Sequence, residues 1–255
     1  MLENQQDISR ELRHLGLLPS PKKDLHGFSL DDLNSHFARV SFSQTENLTE
    51  IDKIIDNASQ DGFKFKEVTL SEVILAVAHF SSQATGTDGI PQKVIAKSLP
   101  TLGPLLVQFY NNSLLHGIFP SAWKKSLLIA IKNTTTPTST SDFRHVALLC
   151  FLSKVLEKLA FDQITAFLDN NKMLDSLQTG FRRFSSVETA LLKLTDDIRR
   201  GMSNRLITLL LQFDFSKALD TISPTKLLRK LLSMGFSKLS LLWIKKPIFR
   251  IGSFR

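Results

Sequence analysis

The chain has a single cysteine, Cys150, and this scarcity limits the chemistry open to it. One cysteine excludes an intrachain disulfide and any zinc site built from two or more thiolates. The N-terminal stretch MLENQQDISRELRHLG is polar and lacks the apolar segment of a signal peptide. No uninterrupted apolar run reaches the roughly 20 residues of a membrane-spanning helix. We therefore expect an intracellular protein without membrane contact or disulfide partners, and the sequence leaves the nucleus and the cytoplasm both open.

The chain also has fewer acidic than basic residues. Lys and Arg total 32 against 24 Asp and Glu, which gives a net charge of +8 and a pI of about 9.6. A basic balance favours polyanionic partners such as nucleic acid, although many soluble proteins are equally basic. The 42% hydrophobic content and the mean hydropathy near zero are typical of a globular protein with a sizeable core.

Helical periodicity dominates the chain, and β-type runs are fewer. Apolar spacing and capping residues predict helices over 7–17, 30–42, 48–55, 92–98, 102–116, 154–167, 186–200 and 225–234, and one that begins at Thr69 or Ser71 and ends at His79. Apolar or alternating runs predict strands over 63–68, 126–131, 143–149 and 207–215. Ser153 is the predicted N-cap of the helix 154–167, and Val187 and Leu191 are predicted to face inward from 186–200. These elements predict a helix-rich α+β fold.

The stretch ITLLLQFDFSKALD, residues 207–220, combines an apolar strand with two carboxylates. Asp214 lies near the end of the predicted strand, where its carboxylate would emerge at the rim of a sheet. Mg²⁺ is commonly held by one or two carboxylates together with substrate phosphates. The alternative is that Asp214 caps the following turn. Asp220 is interpreted mainly as a residue that orders the turn before Ser223 and Pro224.

Five collinear motifs carry a resemblance to a known family. They read ATGTDGIP (84–91), GIFPSAWK (117–124), SDFRHVALLCFLSKVLEKL (141–159), QTGFRRFSSVETALL (178–192) and FDFSKALDTI (213–222). In this order they resemble the reverse transcriptase, an RNA-directed DNA polymerase, of non-LTR (LINE-like) retrotransposons. The resemblance implies part of a right-hand polymerase: an N-terminal helical extension (1–62), a fingers-like region (63–200), a partial palm (201–246) and an unrelated tail (247–255).

The resemblance also implies roles for particular residues in nucleotidyl transfer by two metal ions. Asp214 matches the first catalytic, metal-binding aspartate of the palm, which holds Mg²⁺. Phe215 would lie near the incoming nucleotide, and Lys132 and Arg144 match finger residues that hold its phosphates. Without the resemblance, Lys132 and Arg144 would be interpreted as two solvated surface cations.

The loop after residue 177 is the predicted contact with nucleic acid. Gln178, Arg182 and Arg183 stand beside an aromatic residue, a combination that suits backbone contact and base stacking. The alternative is an ordinary solvated loop. By resemblance the partners would be an RNA template and a DNA primer.

The family's Tyr-x-Asp-Asp motif is not found in the sequence. The only tyrosine, Tyr110, precedes Asn-Asn-Ser, and the Asp-Asp pairs at 31–32 and 196–197 fall at a helix start and within a helix. Together with the missing thumb, this predicts a truncated chain without polymerase activity of its own. The alternatives are a residual nucleic-acid-binding fragment or a translated pseudogene. The strand 207–215 would lack sheet neighbours, which predicts local disorder or self-association after about residue 200.

Overall fold

The computed structural model describes residues 27–41, 48–81, 84–215, 222–248 and 251–254. Within them the predicted helix-rich fold with a small sheet is confirmed. Helices α1 to α8 are Leu30–Ser41, Leu48–Asp56, Leu70–His79, Gln92–Leu115, Phe151–Asn170, Val187–Ser203, Pro224–Ser233 and Lys238–Ile248. Strands β1 to β3 are Lys125–Lys132, Phe143–Leu148 and Ile251–Phe254. The predicted helix 7–17 lies outside the described residues. Among the described helices, none has the length and apolar character needed to span a membrane.

Several helices begin where local chemistry predicts. Thr69 caps α3 through a reciprocal pair of hydrogen bonds with Glu72, and Ser223 caps α7 with Pro224 at the first helical position. The hydroxyl of Ser29 accepts the backbone N–H of Asp32 at the start of α1. These caps depend on residues three positions apart. The sequence predicted the cap of α7, and for α3 it left Thr69 and Ser71 as the two candidates.

One hydrophobic core joins α2, α3, α4, α5, α7 and α8. Burial of apolar surface, worth about 25 cal/mol per Å², is the main force that holds these helices together. The core includes Ile51, Ile55, Val73, Val77, Leu114, Val155, Leu156, Leu228 and Leu241.

Tyr110 lies fully inside this core. Its hydroxyl donates a hydrogen bond to the Leu152 carbonyl at 3.3 Å, which links α4 to α5. Burial raises the pKa of the Tyr110 phenol well above its usual range. Tyr110 is therefore a structural residue of the core.

Phe63 anchors an aromatic cluster between α5 and α8. Its ring centroid lies 4.7 Å from that of Phe236 and 4.9 Å from that of Phe167. Phe63 and Phe236 also form a single parallel β-bridge. The predicted strand 63–68 was wrong, because side-chain amides of α4 and α5, rather than a neighbouring strand, accept backbone N–H groups of this segment.

Ion pairs attach α2 to the C-terminal helices. Lys238 Nζ lies 2.9 Å from Asp56 Oδ1, and Lys245 Nζ lies 2.6 Å from Asp52 Oδ1. Arg229 also pairs with Glu50. Part of the predicted N-terminal extension thus shares a core and a charged rim with the segment predicted to start the palm.

The small sheet has the strand order β2-β1-β3. β1 pairs antiparallel with β2 and parallel with β3, which confirms the predicted hairpin at 126–131 and 143–149. Leu33 and Phe37 of α1 form a second buried cluster with Phe143 of β2. α1 therefore covers the face of the hairpin to which Phe143 belongs.

The extent of α4 and the start of α5 were predicted wrongly. The predicted helices 92–98 and 102–116 are one helix, α4, which continues through Pro100 and Pro104 because its apolar face remains packed in the core. α5 begins at Phe151, and Cys150, rather than Ser153, occupies the N-cap position. The buried Ser153 hydroxyl instead donates to Glu157 Oε1 at 2.9 Å within the helix.

Gly86 and Gly89 differ in whether they adopt a positive φ. Gly89 does so, with a φ of +66°. Gly86 has no such φ; a Cβ there would overlap the backbone of Leu149 and Cys150. The motif ATGTDGIP therefore needs one glycine for its turn and the other for close approach to the start of α5.

The region after α5 differs most from the prediction. Helix α6 forms, but none of its described residues is buried, and Val187 and Leu191, predicted to face inward, are exposed. Residues 206–215 form no strand with any part of the chain that the structure describes. A ladder needs a neighbouring strand to satisfy its N–H and C=O groups, and none of the described segments provides one there.

Candidate functional site

The β1–β2 hairpin positions the two predicted phosphate-binding cations. In the register, Lys132 lies opposite Phe143, and Arg144 lies opposite Ile131. Directly opposed residues share a face of a sheet, and successive residues alternate between faces. Lys132 therefore belongs to the face covered by α1, and Arg144 belongs to the exposed face. The hairpin brings both cations to one end but directs them to opposite sides.

The polar loop between β1 and β2 is held by Asp142. Its carboxylate accepts the backbone N–H groups of Thr138 at 2.8 Å and Ser139 at 2.9 Å. These hydrogen bonds hold the pKa of the Asp142 carboxyl below its usual range. The Asn133 N–H donates to the Asp142 carbonyl at 2.8 Å and closes the loop. The loop next to Lys132 is therefore ordered despite its low-complexity sequence.

Asp214 and Phe215 are both exposed, Phe215 to 76%. A solvent-facing carboxylate is the kind of oxygen ligand that Mg²⁺ accepts, so the Asp214 side chain fits a metal-binding role. The described residues bring no group of three or more His, Cys, Asp or Glu together around it. The part of the chain that the structure describes therefore assembles no metal-ligand set around Asp214. Asp220, predicted to order the next turn, lies outside the described residues.

The predicted nucleic-acid loop is attached to the end of α5. Arg182 Nη2 lies 3.2 Å from Asp169 Oδ1, and Arg182 Nη1 donates to the Asp175 carbonyl at 3.2 Å. The Gln178 side-chain amide donates to the Gly180 carbonyl at 3.1 Å. Arg182 thus has an internal structural role, which the sequence did not reveal because its carboxylate partner lies on another element.

Arg183 points to a different surface. It lines a groove of about 420 Å³ between α3 and α5, together with Glu72 and His79. Lys158 and Asp162, on the α5 wall of this groove, form an ion pair at 2.5 Å. Asp162 neutralises Lys158. Arg183 therefore adds a positive charge to a groove lining that otherwise contains both acidic and basic side chains.

Two residues of the loop were not among the predicted site residues. Phe181 and Phe184 are 89% and 100% exposed, and both have a left-handed backbone, with φ of 58° and 59°. Non-glycine residues adopt this conformation uncommonly. The sequence signal was the spacing Phe-Arg-Arg-Phe, which by itself does not distinguish exposed rings from buried ones.

Comparisons with known proteins converge on one family. The family model described as "Reverse transcriptase (RNA-dependent DNA polymerase)" matches residues 124–254, which include most of the predicted tail. The chain is 25% identical over 202 residues to the RNA-directed DNA polymerase from mobile element jockey of Drosophila melanogaster. It is 24% identical over 201 residues to the probable RNA-directed DNA polymerase from transposon BS of the same species. Each alignment covers 78% of this chain, which spans only 22% of the length of either relative.

Proposed function

Since this chain belongs to the reverse transcriptase (RNA-dependent DNA polymerase) family, we propose that it forms the fingers and the first part of the palm of a right-hand polymerase. Its relatives are polymerases of mobile elements, and the motifs are those of non-LTR retrotransposons. The observation that carries the proposal is the family match over residues 124–254, which includes the cationic hairpin and Asp214 in one continuous segment. In this proposal the fingers are residues 63–200 and the palm begins in 201–246.

The proposed role of Asp214 is to hold a divalent metal ion, Mg²⁺ by preference. Bound Mg²⁺ neutralises triphosphate charge and activates the attacking hydroxyl in polymerases of this kind. The exposure of the Asp214 carboxylate supports this role, because a metal ion can reach it from solvent. Phe215, which is also exposed, is proposed to contact the incoming nucleotide.

The proposed phosphate contacts are Lys132 and Arg144. Both lie at the end of the hairpin that bears the ordered loop, and guanidinium and ammonium groups are common partners of phosphate. Because the two side chains belong to opposite faces of the hairpin, we propose that each binds a different phosphate oxygen and that they do not bind the same one together.

The proposed partners are an RNA template and a DNA primer. The net charge of +8 supports binding to a polyanion, and Gln178, Arg182 and Arg183 are the proposed contacts. The internal ion pair of Arg182 with Asp169 leaves Arg183 as the cation best placed for direct contact. Arg182 would act by fixing the loop.

We propose that this chain does not catalyse incorporation by itself, because Asp214 supplies only part of a two-metal ligand set. The test is primer extension on poly(rA) with an oligo(dT) primer and Mg²⁺, in which we expect no product above background. Incorporation that is abolished by Asp214→Ala would show that the chain is a complete polymerase and would overturn this part of the proposal.

Nucleotide binding tests the rest of the proposal. A fluorescent dNTP should bind in the presence of Mg²⁺, and Asp214→Asn should remove the Mg²⁺-dependent part of the affinity. Asp61→Asn is a matched control, since the Asp61 side chain is 99% exposed and lies outside the proposed site. Binding that is equal for the wild type and Asp214→Asn at every Mg²⁺ concentration would contradict the metal role.

A further inference from the structure

β2 is an edge strand of the small sheet, with β1 on one side and no described strand on the other. The Asn133 N–H donates to the Asp142 carbonyl at the end of the hairpin, so this opposed pair is a hydrogen-bonded one. Hydrogen-bonded and non-hydrogen-bonded pairs alternate along an antiparallel ladder. The register therefore directs the backbone N–H and C=O groups of Phe143, His145 and Ala147 away from β1.

These three residues form a row of unpaired donors and acceptors on the outer edge of β2. Among the residues that the structure describes, no hydrogen bond engages their backbone N–H or C=O groups. Such an edge is a template for another extended chain, and proteins commonly block it with a proline or a bulge. The sequence of β2, FRHVAL, contains no proline, and its register with β1 runs without a bulge.

The structure holds this edge in place. Before β2, the carboxylate of Asp142 orders the polar loop. After β2, Gly86 lies so close to the start of α5 that a Cβ on it would overlap the backbone of Cys150. Between these points, the ring centroid of His145 lies 4.6 Å from that of Phe37 on α1. A preformed edge spares its ligand the entropic cost of ordering the strand.

The spacing of the edge groups matches a polypeptide. The donors and acceptors of an extended strand that point to one side recur every second residue, at about 7 Å. A peptide in the same conformation offers complementary groups at the same interval, which is how peptides add to sheet edges. The backbone of a nucleic acid offers acceptor oxygens without the matching row of donors.

The exposed face of β2 indicates the composition of such a peptide. Arg144 and Val146 lie on this face beside Ile129 of β1, and all three are exposed. No carboxylate of the described residues forms an ion pair with Arg144. An added strand would place two of its residues, one position apart in alternation, next to Arg144 and Val146. An acidic residue beside Arg144 and an apolar residue beside Val146 would each form a favourable cross-strand pair.

We propose that the outer edge of β2 binds an extended acidic peptide of a partner protein as an additional strand. The peptide backbone would bond to Phe143, His145 and Ala147, and its carboxylate would lie beside Arg144. This interaction goes beyond the proposed polymerase role, because it requires neither Asp214 nor nucleic acid.

The test is an NMR titration of the full chain with a synthetic seven-residue peptide in which threonine alternates with one glutamate and two valines. The amides of Phe143, His145 and Ala147 should shift, and their exchange with solvent should slow. The amides of Arg144 and Val146, which already bond to β1, should keep their exchange rates. The same peptide with an N-methyl group on every amide cannot donate hydrogen bonds and should not bind.

Substitutions at His145 separate the backbone from the side chain. His145→Pro removes the N–H at the middle of the edge, and proline is tolerated on edge strands. We expect the Kd of the peptide to rise about tenfold or more, because a peptide carbonyl loses its partner. His145→Ala removes the ring but keeps the N–H, and it should bind the peptide as the wild type does.

A charge reversal provides a second variant that leaves the backbone groups intact. Arg144→Glu should weaken binding of the glutamate peptide and favour a peptide with lysine in the same position. Equal binding of the two peptides by the wild type would overturn the acidic chemistry of the partner.

The remaining outcomes identify a different occupant or none. Edge amides that do not respond to millimolar peptide, or that respond equally in His145→Pro and the wild type, would overturn the proposal. Changes at these amides that follow the concentration of the chain alone would assign the edge to a second copy. Changes caused by single-stranded RNA and not by the peptide would assign it to nucleic acid, and either result would refute the peptide site.

Discussion

Lys132 and Arg144 are offset by one position in the hairpin register, so their side chains belong to opposite faces of the sheet. Lys132 shares its face with Phe143, which packs under α1, whereas the face of Arg144 also carries the exposed Ile129 and Val146. Two cations that look equivalent in the sequence therefore stand in different surroundings. Any ligand that touches both must reach around the end of the hairpin.

This relationship predicts that the two cations contribute independently to nucleotide binding. We expect Lys132→Gln and Arg144→Gln each to raise the Kd of a fluorescent dNTP by about tenfold, the usual effect of losing a charge-assisted hydrogen bond. In the double variant the two effects should add to within about 0.5 kcal/mol, because side chains on opposite faces do not touch.

The matched control is Lys125→Gln, which removes a cation from the far end of β1 and should leave the Kd unchanged. A coupling energy well above about 0.5 kcal/mol between Lys132 and Arg144 would contradict independent contacts. It would mean that the two side chains act together on one phosphate group.

The second prediction concerns the internal role of Arg182. Arg182→Gln should lower the free energy of unfolding by about 1 kcal/mol and expose the loop to protease, because it removes the hydrogen bond to the Asp175 carbonyl and the partly buried ion pair with Asp169. Chemical denaturation and limited proteolysis followed by mass spectrometry measure the two effects.

Arg200→Gln provides the comparison for Arg182. Its ion pair with Asp196 lies on the surface of α6, where both side chains are more than half exposed, and such pairs contribute about 0.5 kcal/mol or less. Equal effects of the two substitutions on stability and on protease sensitivity of the loop would show that Arg182 does not hold the loop.

The cap of α7 and the hairpin were predicted from the sequence because they depend on residues close by in the chain. Ser223 and Pro224 specify the start of α7 within a few residues, and the hairpin follows from two apolar runs around a polar loop. The role of Arg182 depends on Asp169 across a loop, and no local pattern encodes that pair. Local rules also could not show that α4 passes through Pro100 and Pro104, since the packing of its apolar face decides this.

Burial in the region after α5 was also predicted wrongly, because it too depends on contacts with distant elements. An amphipathic pattern such as that of α6 predicts that one face will be covered, but it does not identify what covers it. Val187 and Leu191 remain exposed, because no other described element packs over them. The same holds for the candidate site. The resemblance suggested its residues from the sequence, whereas the structure was needed to show which of them are exposed and on which face of the sheet they lie.

The third prediction concerns the pH dependence of the loop beside Lys132. The folded Asp142 carboxyl has a depressed pKa because it accepts the N–H groups of Thr138 and Ser139. Its contribution to loop order is therefore present above the ordinary carboxyl pKa and is lost as the pH falls through the depressed value. The amide resonances of Thr138 and Ser139 should report this transition in an acid titration followed by NMR.

Asp142→Asn should remove the acid transition, since an amide does not titrate in this range. The control is the wild-type amide of Trp123, which donates to the Pro120 carbonyl and has no acidic residue beside it in the sequence. Amide shifts of Thr138 and Ser139 that titrate identically in the wild type and in Asp142→Asn would contradict the role of this carboxylate.

The last prediction concerns the segment 206–215, whose apolar side chains are exposed on both sides. Ile207, Leu209 and Phe213 are 99%, 80% and 77% exposed. Such a segment, with β-branched and aromatic residues and no ladder to any described strand, is a template for pairing with another strand. We expect the isolated chain to associate in a concentration-dependent way through this segment, which sedimentation velocity would detect.

Leu209→Lys should shift the population toward monomer, because a charge within an unpaired strand opposes edge-to-edge pairing. Leu75→Lys, at a similarly exposed leucine of α3, should leave the association unchanged. A chain that stays monomeric across the concentration range, or that responds equally to both substitutions, would show that the exposed segment does not drive association.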